Sequence, residues 1–534
     1  MPLPDNFVDA IYIDPGLERY RGNPLIEALP PIMDLQALKV KLTGKVKFNP
    51  KDCYEKGHIR AHQISALLDD FFQPLSIHKQ LEEKISVMIR AGYVGRNIAD
   101  GSLNQKMQEG YQRIMSGAIN GCSGSGKSST INRILATYPQ VLYHQKYNFI
   151  QLPYLRIECP SDGSLKSLCL NFFREVDRTL HTGYEEKYAR KRHSTEVLLS
   201  LMGQVATQRA IGVLVIDEIQ RLALKRSISK EAMLEFFVAL VNVVGVPVVM
   251  VGTPKARPIF EMELQAGRRS CGFGALFWEP MQRGIIKADP KTGISRKTEW
   301  QAFTDKLWQY QWLSSRDELL SDEIRDCWFD LSQGVLDIVV KIFVLAQMRS
   351  ISTGLERITA KLLRTVYEQE LKLVHPMLDA LRRDDPELIV KYSDLQLPEM
   401  DKRLLELRRL IEERQDEKES ESFFGGNEKA LRLHTMLQAM GCTSELLQPL
   451  IVNAFKEHPN LSLPELSRII LEWYSKPSEP KKIKAEKVNP RDWHTLSSED
   501  LRFKFSQADK GRLYDDLKYD KELFDVPNWL RHVG

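Results

Sequence analysis

The stretch GCSGSGKS, residues 121–128, constrains this chain more than any other. Its three glycines allow the backbone to curl until the N–H groups point inward, and the run KSSTINRILATY that overlaps its end supplies a helix whose positive end faces the enclosed space. Such a curl joins a strand to a helix and closes around phosphate. It commits the region to an α/β fold, a three-layer domain with a largely parallel sheet. Gly121, Cys122, Ser123, Gly124, Ser125, Gly126, Lys127, Ser128 and Ser129 are therefore expected to hold ATP. Lys127 would reach the outer phosphates and Ser128 a magnesium ion.

A second element agrees with the first. VLVIDE, 213–218, is an apolar run of the kind a strand covered on both faces requires, and it ends in two carboxylates where open parallel sheets place their ligands. Asp217 is expected to hold the magnesium through water. Glu218 would orient and activate the attacking water, so hydrolysis rather than binding alone is implied. The alternative for either acid is a cap on the helix IQRLAL. A third strand, VPVVMVG, brings Thr253 to the same edge, where its hydroxyl could sense the terminal phosphate or merely belong to a Thr-Pro turn. Arg268 and Arg269 follow a helical pattern, and either one, offered to a neighbouring subunit's nucleotide, would stabilise transition-state charge. The strand before the loop is poor. RIMSGAIN dilutes Ile114, Met115, Ala118 and Ile119 with Ser116, Gly117 and Asn120, which predicts a weakened sheet beside the loop.

A chain of 534 residues calls for several domains. Residues 1–110, rich in Pro and Gly at their start, read as an N-terminal docking region, 111–298 as the α/β core and 299–385 as a helical lid. Residues 386–475 read as a helical C-terminal region with SESFFGGNEK as a linker, and 476–534 as a basic tether with a docking tail. In that tether KPSEPKKIKAEKVNPR carries six basic residues against two acidic, and Trp493 and Phe503 beyond it are candidate anchors for a partner.

A formal net charge of +4 neither demands nor excludes nucleic acid, so local clusters must decide. Lys187, Arg190, Lys191 and Arg192 form one, Lys225 and Arg226 another, and the loop 283–297 a third. Each reads equally as a solvated basic face. As DNA contacts they would act on phosphates and weaken with salt, and the lack of interleaved aromatics favours a duplex over single strands. Seven cysteines scattered without metal-ligand spacing fit reduced thiols in a cytoplasm. MPLPDNFVDA lacks the basic start and apolar block of a secretion signal, and the longest apolar run is too interrupted to span a membrane.

The order of elements fits the AAA+ division of P-loop ATPases. The runs GCSGSGKSS, RILATYPQV, DGSLKSLCLNFFREVDR, LVIDEIQRL, VNVVGVPVVMVGTPKAR, FGALFWEP and LSQGVLDIVVKIFVLAQ closely resemble the TnsC family, AAA+ regulators of transposons of the Tn-seven type. The likeness extends from YRGNPLIEALPP near the start to RDWHTLSSEDLRFKFSQ near the end. It implies a bacterial cytoplasmic ATPase that regulates transposition and is not itself the transposase. Members bind ATP, assemble as rings or filaments on duplex DNA, and link a target-selector protein to transposase subunits, and hydrolysis disassembles them. The resemblance assigns selector contacts to the N-terminal region and transposase contacts to the C-terminal end. Two features depart from the pattern: the diluted strand before Gly121, which puts hydrolysis in question, and the lid run QGVLDIVVK. The latter offers Asp337 and Lys341 where many AAA+ lids carry G-x-x-R, so no lid sensor is carried over. A non-hydrolysing, ATP-switched scaffold and an initiator or helicase-loader ATPase remain alternative readings.

Overall fold

The computed structural model describes residues 6–103, 115–190, 192–223, 230–266, 274–284, 297–395, 400–425, 427–459, 461–475, 488–496 and 501–507. In chain order its strands are β1 (Phe7–Asp9), β2 (Ser116–Asn120), β3 (Val141–His144), β4 (Phe149–Gln151), β5 (Tyr154–Glu158), β6 (Val213–Asp217), β7 (Val248–Gly252) and β8 (Ala275–Phe277). The main sheet runs β5-β6-β7-β2-β8 with every neighbour parallel, and a smaller sheet runs β1-β3-β4.

Alternation along the strands builds the layers. Leu214 and Ile216 of β6, with Val248 and Met250 of β7, enter one core. There they meet Leu168, Phe172 and Val176 of the helix Leu165–Leu180, Met202 of the helix Thr195–Gln208, and Leu240 of the helix Lys230–Val244. Val213, Val215, Val249 and Val251 face the other way. They meet Ile131 and Ile134 of the helix Lys127–Leu135 and Leu81, Ile85 and Ile89 of the helix Ser76–Ala91. Each fully buried side chain of this kind contributes about 1.5–3 kcal/mol relative to exposure. The N-terminal stretch thus supplies part of the layer covering one face of the sheet.

Of the poor segment before the loop, Ser116–Asn120 forms the strand β2, while Arg113 and Ile114 lie outside the described residues. β2 lies between β7 and β8, paired along its whole length with β7 from Ser116↔Val248 to Asn120↔Gly252. The expected weakening is therefore corrected. Ala118 and Ile119 are buried, and the apolar bulk that β2 lacks comes from neighbours in register, Met250 and Val251 on one side and Leu276 on the other.

Behind the sheet, four helices, Glu299–Trp308, Asp322–Ser332, Leu336–Thr353 and Ala360–Glu370, share a core of Trp300, Trp308, Trp312, Trp328 and Phe343. Trp328 stacks on Phe343 with ring centroids 5.3 Å apart. Capping fixes where two of these helices begin: Thr298 and Gln301 form a reciprocal box, and Ser321 accepts from Ile324 N. Ala61, Ile64 and Leu67 of the helix Gly57–Asp70 join the same core. Arg60 of that helix grips Glu356 through both Nη atoms at 2.7 and 2.9 Å.

The chain divides into two units, Met1–Lys418 and Glu419–Gly534, with the boundary inside the helix Met400–Phe423. That helix absorbs SESF from the expected linker, because a run rich in Glu, Arg, Lys and Leu favours helix and Arg409 pairs with Glu413 one turn on. In the second unit the helices Glu428–Ala439, Ser444–Glu457 and Leu463–Ser475 close a core of Leu433, Leu437, Leu447, Ile451 and Ile470. Trp493 packs edge-on against Phe505. No helix among the described residues is long and apolar enough to cross a membrane.

Candidate nucleotide-binding site

A cleft of 1040 Å³ opens at the carboxyl ends of β2, β6 and β7 and is roofed by the helix Leu336–Thr353. The loop after β2 lines its floor. Gly124 and Gly126 take φ of +75° and +94°, values that L side chains rarely adopt, and a Cβ on Gly121 would lie 2.3 Å from Trp278 O. Trp278 braces the loop in a second way, its indole Nε1–H donating to Ser125 O at 2.8 Å. His78 stacks on Trp278 and also on Phe72.

Lys127 Nζ donates to Gly121 O and Cys122 O, both at 2.7 Å, so the lysine spans the curl from within. Burial lowers its pKa, opposed by Cys122, Asp217 and Glu218. Ser128 Oγ donates to Asp217 Oδ2 at 2.8 Å, and Asp217 Oδ1 accepts from Glu218 N at 2.8 Å. Glu218 itself has φ +59°; burial, and next the Asp217 charge, push its carboxyl upward. Thr253, 4% exposed, lines the cleft with its Oγ1 buried and without a partner. Such an orphaned hydroxyl, in a cleft also lined by Lys127, Ser128 and Asp217, is suited to a ligand oxygen.

The fold therefore brings Gly124, Gly126, Lys127, Ser128, Ser129, Asp217, Glu218 and Thr253 to one cleft. Arg268, Arg269, Lys191, Lys225 and Arg226 lie outside the described residues, as does most of the loop 283–297. Lys187, Arg190 and Arg192 are exposed, in and just after the short helix Tyr184–Tyr188.

Several residues here carry no motif of their own. Gln220 is buried and joins two parts of the site, its Nε2 donating to Glu218 Oε2 at 2.7 Å and its Oε1 accepting from Thr253 N at 3.2 Å. Arg156 of β5 donates to Asp217 Oδ2 at 2.9 Å. From the lid, Asp337 N donates to Gly124 O at 2.9 Å and Lys341 pairs with the Asp337 carboxylate at 2.6 Å. After the helix Pro386–Tyr392, Ser393 O accepts from Ser123 N, and Asp394 lines the cleft while paired with Lys255. Only register and tertiary closure bring these groups together. In the sequence the signals are the Gln two positions after Glu218, the arginine within YLRIE, and the Asp337 and Lys341 of the lid run QGVLDIVVK.

Among known families, one described as an AAA domain matches residues 112–260, and one described as Tn7 transposition regulator TnsC matches residues 488–533. Among solved structures, the chain is similar to a Walker-type ATPase of Pyrococcus abyssi at 14% identity, covering 64% of this chain and 90% of that one with a TM-score of 0.33. It is also similar to Cdc6p from Pyrobaculum aerophilum at 12% identity, covering 65% and 98% with a TM-score of 0.32. A third likeness is to Drosophila ORC bound to DNA, at 14% identity, 64% and 70% coverage and a TM-score of 0.34. No curated protein matches the chain.

Proposed function

With an AAA domain and a TnsC segment in one sequence, this chain belongs to the TnsC-like AAA+ transposition regulators, and we propose that it couples ATP to assembly on duplex DNA. In that reading the assembly stands between a target-selector protein, met by residues 1–110, and transposase subunits, met by residues 476–534, in a bacterial cytoplasm. The observation that carries the ATPase half is the convergence of Lys127, Ser128, Asp217 and Glu218 on one cleft.

The residues present fit both groups. Ser128 and Asp217 set a hydroxyl and a carboxylate oxygen 2.8 Å apart, the hard donors that magnesium takes alongside phosphate oxygens. When bound, magnesium would neutralise charge building on the transferring phosphate. Lys127 exchanges a loop carbonyl for an outer phosphate oxygen, and the amides of Gly124 to Ser129 cradle the chain of phosphates. Glu218, steadied by Gln220, orients the attacking water and takes its proton. Thr253 offers its free hydroxyl to the terminal phosphate. Arg268 or Arg269 reaches the nucleotide of a neighbouring subunit, so hydrolysis at the junction releases that neighbour. Lys187, Arg190, Lys191, Arg192, Lys225 and Arg226 supply phosphate contacts along the duplex.

Steady-state ATP turnover with and without duplex DNA, beside negative-stain images with a non-hydrolysable analogue, tests the reading. DNA-stimulated turnover that disappears in Glu218→Gln, with rings or filaments on DNA, is the expected result. Retention of ATP with no turnover in the unaltered chain would replace it by the switched scaffold. Failure both to bind ATP and to change size with DNA would remove it.

A further inference from the structure

Asp217 is served by three donors at once. Its Oδ1 accepts from Glu218 N, while its Oδ2 accepts both from Ser128 Oγ at 2.8 Å and from Arg156 Nη2 at 2.9 Å. Asp217 is 2% exposed, and a carboxylate so buried is costly to hold without an opposite charge. Arg156 supplies that charge from the neighbouring strand, where β5 and β6 run in parallel register and Glu158 stands opposite Asp217. A phosphate loop and its acidic strand require no arginine at this place. Yet the guanidinium lies on the very oxygen, shared with Ser128, through which a divalent cation would be held.

A second carboxylate waits within reach. Arg156 Nη2 is also 3.2 Å from Glu158 Oε1, a side chain that is half exposed, and Arg156 Nε is buried without a partner. The arginine therefore holds Asp217 through one nitrogen and does not clamp it bidentately. Glu158 in turn lies 3.7 Å from Arg221, which lies 3.9 Å from Glu218. One line of alternating charge thus joins the carboxylate assigned to the metal with the carboxylate assigned to the attacking water.

Resting on the nucleotide reading above, we propose that Arg156 and magnesium are alternative counter-charges on Asp217, with Glu158 receiving Arg156 when the metal takes the aspartate. Arg156 is then a positioning residue that sets how much magnesium the site demands. Its full transfer to Glu158 loosens Arg221 from that acid and leaves it to Glu218. Metal arrival and the readiness of the water-activating group become linked through four side chains.

The test uses the full-length protein, a fluorescent methylanthraniloyl ADP as probe, and a magnesium titration of its binding, with no turnover involved. Arg156→Gln is expected to lower the magnesium midpoint by about tenfold, the scale of a typical coupling between two sites. Glu158→Gln is expected to raise it, because Arg156 loses its alternative partner. The double variant separates this exchange from simple charge effects: without Arg156, the Glu158 substitution should no longer move the midpoint. If Arg156→Gln does not fold, Arg156→Lys takes its place, and a lowered midpoint with a diminished Glu158 effect is still required. An unchanged or raised midpoint in the arginine variants, or an equal Glu158 effect in both backgrounds, overturns the proposal while metal-dependent binding by the unaltered protein leaves the nucleotide reading standing. Binding that ignores magnesium in the unaltered protein overturns both.

Discussion

Glu218 sits where the backbone turns from β6 into the cleft, at a φ that side chains other than glycine seldom adopt. Residues in such conformations cost of order 1–3 kcal/mol and persist where surrounding bonds fix them, here Asp217 Oδ1 on the backbone and Gln220 on the carboxylate. Its carboxyl is raised first by burial and then by Asp217. A carboxyl with a higher value when folded binds its proton more tightly in that state, so its stabilising contribution is present at low pH and is lost as pH rises through the folded value. Glu218→Gln should therefore melt higher than the unaltered protein at neutral pH, with the gap closing on acidification, while turnover falls by roughly a hundred- to ten-thousand-fold. Calorimetry across pH, paired with a turnover assay, checks both halves. A lower melting temperature at neutral pH would contradict the assignment of desolvation to this carboxylate.

His78 carries the opposite sign. Burial pushes it down from 6.5 to about 4, so its stabilising share is whole above 6.5 and drains away as pH falls toward 4. Complete protonation costs on the order of 3 kcal/mol, and it strikes the Phe72–His78–Trp278 stack that supports the phosphate loop. His78→Asn should flatten the acid limb of stability between those two values. An unchanged acid limb in chemical denaturation would show that His78 is not the group responsible.

Elements differ in how plainly the sequence announces them. β6 and β7 are covered on both faces, so nearly every position must be apolar, and VLVID and VVMVG say so without ambiguity. β2 says little, because in-register neighbours supply its bulk; a residue count along one strand is blind to what the next strand contributes. The phosphate loop is legible because its glycines answer local backbone demands at Gly124 and Gly126. Its brace is not. Trp278 belongs to the loop only through a fold that returns the chain after β8, and Gln220 and Arg156 acquire meaning only from parallel register. Trp278→Phe keeps most of the ring but deletes the bond to Ser125 O, at a net cost near ~1 kcal/mol. Weaker nucleotide binding should accompany that loss, measured by titration with a labelled nucleotide. Unaltered affinity would mean that the loop holds its shape without the indole.

At the scale of the whole molecule, the N-terminal stretch contributes helices to both the sheet and the lid. Ser76–Ala91 lies on the sheet, Gly57–Asp70 lies in the lid core, and Phe71, Phe72 and Gln73 between them line the nucleotide cleft. The cleft lining therefore adjoins helices of the stretch where a target-selector protein is proposed to bind. The proposed assembly on DNA has its own signature. Substituting Lys187, Arg190 and Arg192 with alanine should flatten the dependence of log affinity on log salt by roughly 3, about 0.9 for each duplex phosphate that is no longer neutralised. A parallel shift with unchanged slope would place those side chains away from the backbone.

The division into two units carries the last expectation. Among the described residues, those that line the cleft, from Leu68 to Asp394, belong to Met1–Lys418, whereas the TnsC match at 488–533 belongs to the other unit. Cutting after Lys418 spares the bonds that tie the long helix to the first unit, Gln415 Oε1 accepting from Gly57 N at 3.0 Å and Arg414 donating to Ser352 O at 3.2 Å. The shortened chain should therefore keep its affinity for labelled ATP within about twofold, since the described residues that line the cleft all remain in it. It should lose any response of turnover to transposase subunits. A cooperatively folded 1–418 fragment that no longer binds ATP would show that the cleft depends on the second unit, and a fragment still stimulated by transposase would move that docking site away from the C-terminal end.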